Sequence, residues 1–450
     1  MLKRILGTTT ATLLLLPILL TSCSNPNDNA QDSVADTTTA AAVVQDTPTE
    51  APETTTPAPV SLTLLQGKTS AFKLIRSDNS SNAITKSVAN MLKTIATYTE
   101  GSFSLGTDWE RGNPETVQND NSEILIGQTN RAESIEVLST LPDNSYTVTI
   151  KNNKLVIIGT DDNMTILALF DFAERILMNT ELCSSGKLVI NEEDCFTVTR
   201  DSKFSLSEMI QGNYSITSTD KRVITCKGVD QYKIGQGAAS DGTYAYFALR
   251  NSGDTGSVIC KYRLDDGTFV AKSDVLDLGH ANDMTFDTAK NQLVVAHGQS
   301  EGKIITIVDP DTLKFVKDIN ITHGSGAITY SVKRGSYAIS QGGSTLHMMS
   351  ADLKHVKSYS RITGTGYTAQ GMGSDEDYIY FPMSGKNDNI LQVYDWDGNY
   401  VTTITIPIDM ESESLFWVND TYYIAFNHSG SELLHRIDFY IIYQQPDANN

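Results

Sequence analysis

The chain has 450 residues and a formal net charge of −20, from 54 acidic and 34 basic side chains. Phosphate-rich partners need Lys and Arg, so this balance argues against nucleic acid and against direct contact with anionic lipid heads. Five cysteines without a Cys-x-x-Cys pair give no structural zinc site. No phosphate loop, Gly-x-Ser-x-Gly or His-Glu-x-x-His motif is present.

Lys3 and Arg4 open the chain, Leu13 to Leu20 form an apolar run broken by Pro17, and Leu20-Thr21-Ser22-Cys23 follows. So short a run, diluted by Thr8 to Thr10 and Thr12, reads as a cleaved export signal over residues 1–22 and not as a membrane span. The Leu-Thr-Ser-Cys sequence resembles the lipobox of bacterial lipoproteins. That resemblance implies cleavage before Cys23 and its modification with diacylglycerol and palmitate-type acyl chains. It therefore implies a cell-membrane location on the extracytoplasmic face, with the membrane as a partner through a lipid anchor. An ordinary signal peptide with an incidental Cys23 is the plainer alternative. Residues 23–60, rich in Thr, Ala, Pro, Asp and Glu, hold too few apolar side chains to offset ordering entropy. They read as a semi-extended tether.

Residues 61–200 alternate strand and helix signals. Phe72 to Ile75 reads as a strand, and Ile84, Val88, Met91, Leu92 and Ile95 keep helical spacing. Glu123 to Gly127 is a short buried strand, with a helix expected after Arg131. Tyr146–Ile150 and Leu155–Ile158 flank a hairpin turn, and Thr165–Met178 is a further helix. The expectation is a two-layer α/β sandwich. The run from Glu123 to Arg131, the two hairpin strands and the helix through Leu167 to Phe172 are similar to the non-catalytic N-terminal domain of β-hexosaminidases and α-glucuronidases. In that family a catalytic barrel follows, but nothing after residue 200 reads as a βα-repeat, so no catalytic residue carries over. Gln128 to Arg131 reads as a strand-to-helix turn with an N-cap and not as a ligand site.

Residues 201–232 read as a connector or closing strands, and residues 233–443 as a repeat. Gln236-Gly-Ala-Ala-Ser-Asp-Gly-Thr-Tyr-Ala-Tyr-Phe247 recurs as Gln370-Gly-Met-Gly-Ser-Asp-Glu-Asp-Tyr-Ile-Tyr-Phe381. Related segments begin at His280 and His323, and a degraded copy at Ser412. Aligning Ala238, Met284, Ala327, Met372 and Leu415 gives steps of 46, 43, 45 and 43 residues. A strand–acidic turn–strand motif ending at Val270, Val316, Val356 and Val401 keeps the same period. Four short strands per unit of about 44 residues is the size of one propeller blade. An all-β propeller follows, of five blades, or six if residues 204–232 contribute a blade or complete the last one. Residues 444–450 are a tail.

Asp309-Pro-Asp311 and Asp395-Trp-Asp397-Gly398 have carboxylates at alternate positions, as calcium loops do, but Asp and Gly at hairpin turns explain them better. Cys183 with Cys195, and Cys226 with Cys260, are conceivable disulfides in an exported chain; four free thiols fit equally well. The start of each inner strand faces a propeller's axial funnel. That places Gln236, His280, Asn282, Asp283, His323, Tyr367, Gln370 and Glu413 around one polar mouth. His280, Asn282, Asp283 and His323 are read as hydrogen-bonded groups in preference to metal ligands, so no metal, cofactor or catalytic residue is expected. Amide, imidazole and carboxylate groups beside a Tyr suit sugar hydroxyls. The leading expectation is non-enzymatic binding of glycan or cell-wall material. A polysaccharide hydrolase or lyase and a scaffold for a surface protein are the alternatives.

Overall fold

The repeat period and the α/β signals place strands and helices that a computed structural model resolves in detail for residues 60–298, 303–341 and 344–445. The expected export signal, Cys23, nearly all of the tether and residues 446–450 lie outside the described residues. The first elements are β1 (Ser61–Gln66), β2 (Thr69–Arg76), α1 (Asn82–Thr99), β3 (Ser102–Thr107), β4 (Glu123–Ile126), α2 (Ala132–Thr140), β5 (Ser145–Lys151) and β6 (Lys154–Gly159). They are followed by α3 (Asp162–Phe172), β7 (Cys183–Ser184), β8 (Lys187–Asn191), β9 (Phe196–Thr199) and α4 (Leu206–Gln211).

Six of these strands form one sheet in the order β3-β2-β4-β6-β5-β9, and β1, β8 and β7 form a small second sheet. β2, β4 and β6 run parallel, whereas the β5–β6 hairpin turns through Asn152 and Asn153, both at positive φ. Asp161 caps α3 by accepting from the Met164 amide at 2.8 Å, so this helix starts earlier than its apolar spacing indicates.

The two-layer expectation is corrected. Leu74, Ile124, Ile126, Leu155 and Ile157 join α1 and α3 in one core, while Ile75, Leu125, Val156 and Ile158 meet Val137, Leu138 and Leu141 of α2 or just beyond it on the other face. Continuous apolar runs such as Ile124-Leu125-Ile126 belong to parallel strands covered on both sides. The N-cap expected near Arg131 is also changed. Arg131 itself precedes α2 without a side-chain cap bond. Its buried guanidinium instead pairs with Glu123 at 3.1 Å, and buried Lys154 pairs with Glu123 and Glu133. Thr129 bonds Ser134 at 2.8 Å. Every member of this buried charge cluster is partnered, as burial of charge requires, so Gln128 to Arg131 serve the fold.

Beyond Gln211 the described regular elements are all strands. β10 (Ser215–Lys227) comes first. Sheet 1 holds β11 (Ile234–Ser240), β12 (Tyr244–Arg250), β13 (Ser257–Arg263) and β14 (Phe269–Lys272). Sheet 2 holds β15 (Asp283–Asp287), β16 (Gln292–Ala296), β17 (Ile304–Val308) and β18 (Phe315–Asn320). Sheet 3 holds β19 (Ala327–Ser331), β20 (Ser336–Gln341), β21 (Thr345–Met349) and β22 (His355–Ser360). Sheet 4 has a broken first strand, β23 (Thr368–Ala369) and β24 (Gly373–Ser374), then β25 (Tyr378–Ser384), β26 (Asn389–Asp395) and β27 (Tyr400–Ile406). Sheet 5 joins β28 (Glu411–Val418), β29 (Thr421–His428) and β30 (Ser431–Ile442) to β10.

The first strands close a ring: β11 touches β15, β15 touches β19, β19 touches β24, β24 touches β28, and β28 returns to β11. Separate apolar cores lie between successive sheets, for example Val295, Met284 and Ala239 between sheets 1 and 2, and Ile305, Ile328 and Ile339 between sheets 2 and 3. The fold is therefore mostly β and propeller-like. β10, drawn from residues 201–232, is paired with β30 from Ser215↔Ile442 to Lys227↔Ser431. A strand from before sheet 1 thus completes the sheet made by the end of the repeat.

β30 also joins the repeat to the N-terminal sheet. Asn163 donates to the Phe439 carbonyl and accepts from the Ile441 amide, and Ser87 accepts from the Tyr443 amide. One core runs through both parts, and the described residues form one compact unit. Cys183, Cys195, Cys226 and Cys260 are free thiols. Asp309 accepts from the Asp311 and Thr312 amides, and Asp395 from the Asp397 and Asn399 amides, which are turn contacts. No described helix is long and apolar enough to cross a membrane.

Candidate functional site

At the centre of the ring the repeat positions just before the aligned Ala238, Ala327, Met372 and Leu415 are Gly237, Gly326, Gly371 and Ser414; the position before Met284 is Asp283. Four small residues make room for one carboxylate. A Cβ on Gly237 would lie 2.6 Å from the Asp283 carbonyl carbon, and one on Gly371 would lie 3.0 Å from Asp283 Oδ1. Asp283 is wholly buried. Its Oδ2 accepts from the Ile328 and Met372 amides at 2.8 and 2.9 Å, and its Oδ1 accepts from the Met284 amide at 2.9 Å. The Ser414 hydroxyl lies 2.7 Å from Oδ1 and 3.0 Å from the Ala238 carbonyl. This one side chain bonds to sheets 2 to 5 and reaches sheet 1 through the Ser414 hydroxyl. Burial pushes its carboxyl up to about 8, against the pull of those donors. Asp283 therefore closes the axis and presents nothing to the mouth.

Above it the expected mouth is partly assembled. His280 Nδ1 lies 3.1 Å from Asp254, which pairs with Arg250 at 2.8 Å. Asn282 donates to the Gly326 carbonyl and, at 3.3 Å, to that of Gln370. The Gln370 amide donates to Glu411 at 2.8 Å, and Asn427 reaches the other Glu411 oxygen at 3.4 Å. Gly366, Thr368, Gln370, Ser384, Asp409 and Glu411 line a hollow of about 380 Å³. Tyr367, whose hydroxyl donates to Asp388 at 2.9 Å, stands beside it against Gly385.

Two expected members are withdrawn from solvent. Gln236 is buried and its side chain donates to its neighbour's carbonyl at Gly235. Glu413 is 2% exposed, and burial first, then Glu411, holds its carboxyl well above the usual range. Glu432, on β30, is wholly buried and likewise raised, by burial first and then by Glu413. The Gln236 amide eases its charge, yet neither Glu432 oxygen makes a well-formed hydrogen bond. The sequence reading missed Arg250, Asp254, Glu411, Asn427 and Glu432. Glu411 had a signal, since Glu411-Ser-Glu413 repeats the alternate polar spacing at the head of an inner strand. Glu432 had none.

His323 is not in this network. Its ring stacks on that of His347 with centroids 4.2 Å apart, and lies 4.3 Å from that of His355. On the side of the N-terminal sheet, a cleft of about 630 Å³ is walled by Phe204, Trp417 and Tyr440 with Asp377, Asp420 and Arg436.

No family model and no curated protein matches the sequence. Solved structures with partial likeness include Myxococcus xanthus glutaminyl cyclase, 9% identical over 51% of this chain and 99% of its own, with a TM-score of 0.38. A DUF4221-family protein from Bacteroides vulgatus is 10% identical over 51% and 99%, with a TM-score of 0.33. Kuenenia stuttgartiensis hydrazine synthase is 13% identical over 44% and 56%, with a TM-score of 0.30. Overlaps of this quality bear on neither the activity nor the ligand of this chain.

Proposed function

We propose that the chain is an extracytoplasmic lipoprotein, held to the cell membrane by acyl chains on Cys23, that binds glycan or cell-wall polymer without transforming it. In this reading the five sheets are the blades of a five-bladed β-propeller, preceded by an α/β domain with helices on both faces of its sheet and by a tether. The observation that carries it is the rim chain Asn427–Glu411–Gln370 beside the hollow at Thr368 and Ser384. An amide, a carboxylate and hydroxyls held at one edge, next to Tyr367, offer paired donors and acceptors for vicinal sugar hydroxyls, with an aromatic face alongside. Asp283 supplies a rigid floor.

Polysaccharide hydrolysis is the second reading, favoured by Glu413, a carboxyl whose pKa burial and then Glu411 raise well above the usual range. Its near-complete burial leaves it no path to a glycosidic oxygen, which is why binding is preferred. A glycan array probed with the portion from Ala58 onward tests the proposal. Binding that is weakened by Glu411→Gln and leaves the glycan intact supports it; cleavage of a bound glycan would replace it with the hydrolase.

A further inference from the structure

We propose that His323, His347 and His355 form a binding site for a divalent first-row transition metal of borderline softness, with Zn²⁺ as the reference ion. The site lies apart from the mouth and does not depend on the glycan reading. One ring nitrogen from each histidine lies within 4.8 Å of those of the other two. Three nitrogens at about 2.0–2.1 Å from one ion are roughly 3.4 Å apart in tetrahedral geometry, so closure requires each pair to approach by about 1.5 Å or less. His323, on the connection between β18 and β19, and exposed His355 can make that movement by side-chain rotation.

The backbone explains the grouping. His347 on β21 faces Ser358 on β22, and Met349 faces His355, with a bulge between these pairs. Residues 355 and 358 would point to opposite faces of a regular strand. The bulge adds one residue and turns His355 to the face of His347 and Ser358. Ser358 Oγ then lies 2.8 Å from both His347 Nδ1 and His355 Nε2, fixing both rings as a ligand-orienting hydroxyl does. The same bulge occurs in sheets 1, 2 and 4, where the residue in the place of His355 is Phe269, Phe315 and Tyr400. Sheet 3 departs from an aromatic position to supply an imidazole. Burial first, then the neighbouring histidines, bring His347 down to about 4, and burial and His355 also lower His323. Metal is ligated by the neutral imidazole, the form that the lowered values of His347 and His323 favour. Among the described residues neither nitrogen of His323 has a hydrogen-bond partner. Lys303, which bears on His323, opposes the cation and favours a moderate, exchangeable affinity. Three imidazoles leave a fourth position for water or an outside ligand.

The test is calorimetric titration of the untagged full-length protein in detergent with ZnCl₂ and NiCl₂. One saturable equivalent is expected. His355→Phe installs the residue that sheets 1 and 2 carry there, so the fold is kept, and His323→Ala alters only a connection. Each is expected to weaken binding at least ten-fold, with His428→Ala as the unchanged control. Far-UV circular dichroism confirms folding of each variant. Absence of a saturable equivalent in the wild type, or folded His355→Phe and His323→Ala chains that bind as tightly as the wild type, would overturn the proposal.

Discussion

Asp283→Ala removes the acceptor that the amides of Met284, Ile328 and Met372 share. Each buried amide left unpaired costs about 1–3 kcal/mol, so the loss is about 3–9 kcal/mol, less whatever a water in the vacated space returns. That approaches the whole stability of a typical domain, about 5–15 kcal/mol. Asp283→Asn keeps one acceptor oxygen for Ile328 and Met372 and can donate to Ser414, leaving only the Met284 amide unpaired, a cost of about 1–3 kcal/mol. Urea unfolding followed by tryptophan fluorescence and circular dichroism should rank wild type above Asn and Asn above Ala. An alanine variant within about 1 kcal/mol of wild type would show that Asp283 does not hold the five sheets together. The carboxyl also sets a pH dependence. Its folded value of about 8 lies above an unfolded value of about 3.9. Its contribution is therefore fully present below about 3.9 and is lost as pH rises through 8, at about 1.4 kcal/mol per unit within the window. Glu413 and Glu432 shift in the same direction. Wild-type stability should fall from pH 5 to pH 9, and Asp283→Asn should flatten that slope.

Gly371→Ala should destabilise the fold by about 1–3 kcal/mol, since its Cβ meets Asp283 Oδ1 and the Glu413 carbonyl in a closed axis; an unchanged melting temperature would mean that the axis is looser than its contacts. Gln370→Ala combined with His280→Ala should leave the melt nearly intact and weaken glycan binding, because both side chains sit at the open rim; a large loss of melting temperature with unchanged binding per folded molecule defeats the ligand role. EDTA should not unfold the protein and should lower the melting temperature by no more than loss of an exchangeable ion allows, because apolar cores and Asp283 hold the sheets together; a sharp fall would reveal a structural ion. Cys23→Ala should abolish labelling by radioactive fatty acid and free the protein from membranes or leave an uncut precursor; an unlabelled wild type removes the anchor from the account.

The repeat was legible because each unit reuses the same small residues where strands crowd the axis. Aligning Ala238, Met284, Ala327, Met372 and Leu415 located Gly237, Gly326, Gly371 and Ser414 without showing that Asp283 fills the space they leave. A lone Asp at the head of a strand reads alike whether it faces solvent or three amides. The closing role of β10 was less legible, because its partner β30 lies some 200 residues away and only tertiary pairing sets the register. Helices on both faces of the N-terminal sheet could have been read from Ile124-Leu125-Ile126, whose unbroken apolar run has no solvent face. His347 and His355 were passed over because a bulge, invisible in the strand pattern, brings His355 round to His347. Arg250, Asp254 and Asn427 lie at strand ends or just beyond them, where polar residues are ordinary.

The most direct test of the central claim is a glycan array, spanning peptidoglycan fragments and surface polysaccharides, read with the portion from Ala58 onward and with its Glu411→Gln and Gln370→Ala variants. The account predicts saturable binding to a defined glycan class that both rim variants reduce at least several-fold while their melts match the wild type. Binding that both folded variants retain in full, or no binding to any glycan on the array, would contradict it.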